Sequence, residues 1–202
     1  MSVVIVDTQC ANLTSVRFAL ERLGVSPLVS ADAATIRGAE RVILPGVGTA
    51  AAAMRELQAR DLVTTLQQLT QPVLGICLGM QLLTEFSSEG EVACLGVIPT
   101  QTKALSNAGL PLPHMGWNTI TAEQTHPLLQ HLPTPTYCYF VHSYAVPISP
   151  VTLASSDYGQ AFSAMIGYRN FFGAQFHPER SGAVGAQILK NFLELNDVNS
   201  ST

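Results

Sequence analysis

Three short apolar runs constrain this chain more than any other feature. Val3-Val4-Ile5-Val6-Asp7, Arg41–Leu44 and Pro72–Ile76 are continuous rather than alternating, and the first is almost wholly β-branched. A strand reads this way when both of its faces are covered, as in a parallel sheet held between helices.

The segments between the runs carry helical spacing. Asn12 is placed to cap a helix in which Leu13, Val16, Leu20 and Leu23 recur, and Gly24 stops it. Val25 to Val29 reads as a second strand, so Arg41–Leu44 is the third and ends at Pro45-Gly46-Val47-Gly48. An alanine-rich helix is expected over Thr49–Leu69, a fourth strand over Pro72–Ile76, and a helix over Leu78–Phe86. Strand alternating with helix argues for right-handed crossovers. From about Val92 the rhythm changes to short β-like pieces: Leu95–Ile98, Trp117–Thr121, Tyr137–Val141, Val151–Ser155, Ala161–Gly167 and Phe171–Phe176. A last helix is expected over Gly182–Leu195, followed by a polar tail, Asn196–Thr202. The expected fold is α/β: a mostly parallel sheet, mixed at one side and flanked by helices. Residues 1–202 are expected to form a single domain, since domains commonly hold about 100–200 residues.

A hydrophobic fraction of 47% with only 12% charged residues excludes intrinsic disorder. The net charge is −4 and no Lys/Arg cluster occurs, which argues against nucleic-acid binding. No run reaches the roughly 18 apolar residues of a membrane span, and Asp7 interrupts a start that has no basic leader. Cys10, Cys77, Cys94 and Cys138 fit neither a zinc pattern nor a disulfide framework, so reduced thiols and a cytoplasmic location are expected.

The chemistry centres on Gly75-Ile76-Cys77-Leu78-Gly79, a G-x-C-x-G pattern where a strand gives way to a helix. The related G-x-S-x-G elbow holds its nucleophile on a sharp turn. A helix N-terminus favours negative charge there, which suits a thiolate. Alone, the pattern is equally compatible with a buried structural cysteine. A thiol nucleophile needs a base, and the base benefits from an orienting carboxylate. His177-Pro178-Glu179 supplies both, after the apolar run Phe171–Phe176; in extended chain, residues two apart share a side. That tripeptide alone also fits an exposed loop; elbow and tripeptide together favour a catalytic pair. Pro45–Gly48 alone is a plain turn. Beside the elbow, the backbone N–H groups of Val47, Gly48 and Leu78 could form an oxyanion hole.

Gly75-Ile-Cys-Leu-Gly-Met-Gln81 with His177-Pro-Glu179 resembles the class I (triad) glutamine amidotransferases over essentially the whole chain. Pro45–Gly48, Pro113-His-Met-Gly-Trp-Asn118 and Tyr139-Phe-Val-His-Ser-Tyr144 resemble one branch of that family, which supplies ammonia for histidine biosynthesis. The resemblance implies a Cys77–His177–Glu179 triad that hydrolyses L-glutamine. Gly46, Gln81, Glu89, Ser143 and Tyr144 would hold the substrate, with no metal or organic cofactor. It also implies a heterodimer with a (β/α)8-barrel synthase whose products are imidazole glycerol phosphate and an aminoimidazole carboxamide ribotide. The N-terminal loop departs from the family: Cys10 and Ala11 stand where Met or Gly, and Gly, are expected. Alternatives are a glutaminase of anthranilate, aminodeoxychorismate or pyridoxal phosphate synthesis, a non-catalytic interaction subunit, or a cysteine hydrolase of α/β-hydrolase type. In that last class the acid precedes the His, whereas Glu179 follows His177. Cys138 reads as core, Cys10 and Cys94 as non-catalytic, and His126 and His131 as surface residues. His114 and His142 fit either the site or a structural hydrogen bond, and Trp117 either core or interface.

Overall fold

The computed structural model describes residues 1–8, 13–106 and 108–195. The first half contains β1 (Val3–Val6), α1 (Leu13–Glu21), β2 (Leu28–Ser30), α2 (Ala33–Arg37), β3 (Arg41–Gly46), α3 (Ala50–Ala59) and α4 (Leu62–Gln67). Then come β4 (Val73–Cys77), α5 (Leu78–Leu82), β5 (Phe86–Ser87), β6 (Val92–Ala93) and β7 (Gln101–Ala104). The remainder comprises β8 (His114–Ala122), β9 (Thr136–His142), β10 (Tyr144–Ala145), β11 (Thr152–Asp157), β12 (Ala161–Tyr168), β13 (Phe171–Ala174) and α6 (Gly182–Leu193). The expected Asn12 cap, the Cys10–Ala11 departure and the tail from residue 196 lie outside the described residues.

Nine strands form one sheet in the order β2-β1-β3-β4-β13-β12-β11-β8-β9. Pairing is parallel from β2 through β13 and antiparallel from β13 to β9. The expected parallel sheet is therefore present, with its antiparallel half on one side. The continuous apolar runs find cover on both faces. Val3 and Ile5 of β1 join the core under α1 and α6, with Leu20, Phe176, Ile188 and Phe192. Val4 and Val6 join the opposite core, with Ile36, Leu57, Leu62 and Met80.

Several expected boundaries are corrected. The single helix over Thr49–Leu69 is two, broken where Asp61 takes φ 55°. Thr49 caps the first of them, its side chain accepting the Ala52 N–H at 3.3 Å. The second strand is only Leu28–Ser30, an edge with Leu28 exposed. The helix after Cys77 stops at Leu82 instead of Phe86, and Leu95–Ile98 is not a strand. One cause explains both: Leu95 N–H donates to the Leu82 carbonyl (2.9 Å), and Val97 and Ile98 donate to Leu83 (3.1 and 3.0 Å). The loop thus satisfies the orphan carbonyls at the end of a one-turn helix. The last helix ends at Leu193, two residues early. A small sheet, β10-β7-β5-β6, was not expected from the sequence.

Candidate active site

Parallel strands deliver their C-terminal ends to one edge of the sheet, and the Pro45–Gly48 turn, the Cys77 elbow and the His177–Glu179 segment follow β3, β4 and β13 there. β3 and β4 are in register, pairing Pro45 with Ile76 and Gly46 with Cys77. Cys77 closes β4 with φ 53° and ψ −111°, a conformation rare for a residue with a side chain. The flanking glycines serve close packing and not rotation. A Cβ on Gly79 would lie 1.8 Å from the Leu44 carbonyl oxygen, and one on Gly75 would lie 2.6 Å from the Gly79 backbone. Helix α5 can therefore sit hard against β3, and the dihedral strain falls on Cys77 itself.

The His-Pro-Glu segment arrives by a different route from the one expected. β13 ends at Ala174, and Pro178–Arg180 form a single 3-10 turn. That turn, and not extended chain, folds Glu179 back so that its Oε1 lies 2.8 Å from His177 Nδ1. The backbone is fixed from both sides: His177 N–H donates to the Tyr139 carbonyl at 2.9 Å, and Ser181 Oγ donates to the His177 carbonyl at 2.7 Å. The Glu179 side chain is 3% exposed and its second oxygen, Oε2, has no hydrogen-bond partner among the described residues.

Burial alone would discourage a charge on His177, but a hydrogen bond to Cys77 and the Glu179 carboxylate outweigh it and raise its pKa to about 10. The imidazole is thus a strong proton acceptor beside the sulfur. Cys94 and Cys138 lack such a neighbour, and burial pushes their thiols up to about 11 and about 12.

A cavity of about 250 Å³ collects Cys77, His177, Val47, Gly48, Leu78, Gln81, Glu89, Ser143 and Tyr144, together with Pro113, Val141 and His142. A second, of about 180 Å³, lies beyond His177 and Val47 and is lined by Gly46, Glu179, Val16 and Arg180 among others. Gly46 and Glu179 therefore face the second space. The Gln81 amide donates to the Tyr144 carbonyl and to Gln175 Oε1, both at 3.0 Å, and Glu89 accepts the Ala50 N–H at 2.9 Å at the start of α3. His114 and His142 are buried and joined at 2.8 Å. Trp117 is 57% exposed and so is not core. His126 is half-buried, its Nδ1 accepting the Leu128 N–H, whereas Cys138 is core as expected. Gln175, fully buried with its amide 3.8 Å from Cys77 Sγ, was not singled out; its place two residues before His177 was the available signal. Among the described residues no cluster of His, Cys, Asp or Glu is arranged to hold a metal ion.

Residues 4–195 match the model of the family "Glutamine amidotransferase class-I". The chain is 64% identical to the imidazole glycerol phosphate synthase subunit HisH of Idiomarina loihiensis, covering 96% of this chain and 98% of that one. It is 57% identical to the protein of the same name in Mannheimia succiniciproducens, over 95% and 98%. A crystal structure of a glutamine amidotransferase superposes with a TM-score of 0.74 at 17% identity, covering 96% of this chain and 98% of that one. With a match of that span around a Cys–His–Glu constellation, the chain belongs to the class-I glutamine amidotransferase family.

Proposed function

We propose that this chain is the glutaminase subunit of an imidazole glycerol phosphate synthase, with residues 1–202 acting as one amidotransferase domain in the cytoplasm. The observation that carries the reading is the His177–Glu179 contact at 2.8 Å beside a cysteine held on a strained elbow. His177 takes the Cys77 proton, and the sulfur attacks the side-chain carbonyl carbon of glutamine. The resulting oxyanion lies among the backbone N–H groups of Leu78 and the Val47–Gly48 turn. Imidazolium returns its proton to the departing nitrogen, the C–N bond breaks, and ammonia leaves a thioester on Cys77. His177 then deprotonates water, which attacks the thioester; glutamate departs as the thiol is restored. Glu179 keeps the imidazole in one orientation and stabilises its charged form. Gln81, Glu89, Ser143 and Tyr144 line the space for the substrate's backbone groups, and Gly46 shapes the turn beside it.

The partner is a barrel-type synthase that uses the ammonia to form imidazole glycerol phosphate and an aminoimidazole carboxamide ribotide. Supporting this are exposed apolar side chains on one face of β8 and β9: Met115, Trp117 and Tyr137 are 65%, 57% and 50% exposed. Met115 pairs with Val141, which lines the catalytic cavity, so this face adjoins its rim. In the assembled complex, Cys77→Ala is expected to abolish product formation from glutamine and to preserve it from ammonium salt. Equal loss with both nitrogen sources would show that the substitution broke the assembly, and unchanged product formation from glutamine would refute the assigned role of Cys77.

A further inference from the structure

We propose that Gln175 is a further catalytic residue, an amide donor aimed at the Cys77 sulfur by hydrogen bonds that start from the Tyr144 carbonyl and run through Gln81. What Cys77 does rests on the glutaminase reading; the direction of these bonds rests on geometry.

A first run of donors, from Asn118 through His114 and His142, ends on the Tyr144 carbonyl. Asn118 Oδ1 accepts the Thr119 N–H at 2.8 Å, and Asn118 Nδ2 donates to the Asp157 carbonyl at 2.8 Å. The Asn118 NH2 therefore faces His114 Nε2, at 3.4 Å, which accepts. A neutral histidine that accepts at Nε2 carries its proton on Nδ1. His114 Nδ1 lies 2.8 Å from His142 Nε2, so His142 accepts there and bears its own proton on Nδ1, 2.9 Å from the Tyr144 carbonyl. That carbonyl can only accept, so the opposite end demands the same order. Burial holds both imidazoles neutral, with pKa values lowered to about 4.

Tyr144 then orders the two glutamines. Its carbonyl receives one Gln81 proton at 3.0 Å, and the other Gln81 proton goes to Gln175 Oε1 at 3.0 Å. Gln175 must turn its NH2 toward Cys77 Sγ, 3.8 Å away. Flipping any single member sets two donors or two acceptors face to face where water has little access; Gln175, Gln81, His114 and His142 are 0%, 4%, 3% and 6% exposed. The sulfur also touches the Val141 carbonyl at 3.7 Å, a contact that suits the thiol. Once the proton passes to His177 and the sulfur is charged, the Gln175 N–H becomes the favourable contact, because hydrogen bonds to ions are the stronger class.

The test is the rate at which iodoacetamide alkylates Cys77 in the purified full-length chain at pH 7, read by mass spectrometry of the Cys77 peptide. Gln175→Met, similar in length but without a donor, is expected to slow alkylation about tenfold. Gln81→Leu occupies similar space but removes the amide that donates to Gln175 Oε1, so that Gln175 is free to turn its oxygen toward the sulfur; slowing of about threefold is expected. A wild-type rate in Gln175→Met overturns the donor, and a wild-type rate in Gln81→Leu overturns its aiming from Tyr144. If circular dichroism shows Gln175→Met unfolded, Gln81→Leu decides. Absence of glutamate production by the wild-type complex would refute the glutaminase reading and leave the alkylation result standing.

Discussion

His177 sits where two forces oppose each other. Burial disfavours its charged form, but the hydrogen bonds to Cys77 and to the Glu179 carboxylate together favour it more strongly, so its pKa rises from 6.5 to about 10. A histidine raised on folding contributes stability in full below its ordinary value, and loses that contribution as pH rises toward the folded value. His114 and His142 carry the opposite sign. Buried neutral with values lowered to about 4, they cost stability as pH falls from about 6.5, because the unfolded chain takes up protons first. The wild-type unfolding temperature is therefore expected to peak near neutral pH. The excess of wild type over His177→Asn should shrink between pH 6.5 and 10. An excess independent of pH across that window would contradict a histidinium held by its two neighbours. The proposed triad, Cys77, His177 and Glu179, was legible in the sequence because each carries a reactive group in a tell-tale spacing. Gln175 was not, because an amide gains chemical meaning only from what it faces.

The elbow between β4 and α5 separates strain from packing. Cys77 holds φ 53° and ψ −111°, while Gly75 and Gly79 let the helix lie against β3. Strained dihedrals of this kind cost about 1–3 kcal/mol, and glycine largely escapes the cost. Cys77→Gly is expected to be more stable than Cys77→Ala by about 1 kcal/mol in urea unfolding, with both unable to use glutamine. Equal stability would show that the elbow stores no strain. Gly79→Ala, whose Cβ would meet the Leu44 carbonyl at 1.8 Å, is expected to fail to fold. The long strands were legible because double-sided burial leaves a continuous apolar run. The four-stranded second sheet was not: its strands are two to four residues long, too short for a period to register. Leu95–Ile98 misled for a related reason, since an apolar loop that caps a short helix has the composition of a buried strand.

Across the whole molecule, the parallel half of the sheet carries the Cys77 elbow and the turn beside it, while the antiparallel half contributes the exposed β8–β9 face. The candidate cavity draws Cys77 from β4, Val141 and His142 from β9, and Tyr144 from β10 of the small sheet. Sequence pattern gave the alternation of strand and helix, but only the folded sheet brings β9 alongside His177, through Tyr139. A site at such a junction, opening beside an exposed aromatic face, suits a product handed directly to a second protein. The most direct measurement is isotope transfer in the assembled complex, supplied with amide-15N glutamine and excess unlabelled ammonium at a pH where little of it is free ammonia. The synthase product is expected to carry 15N with the wild-type chain and none with Cys77→Ala. Label diluted to the bulk nitrogen pool, or persisting when Cys77 is replaced, would contradict ammonia made at Cys77 and passed across the interface.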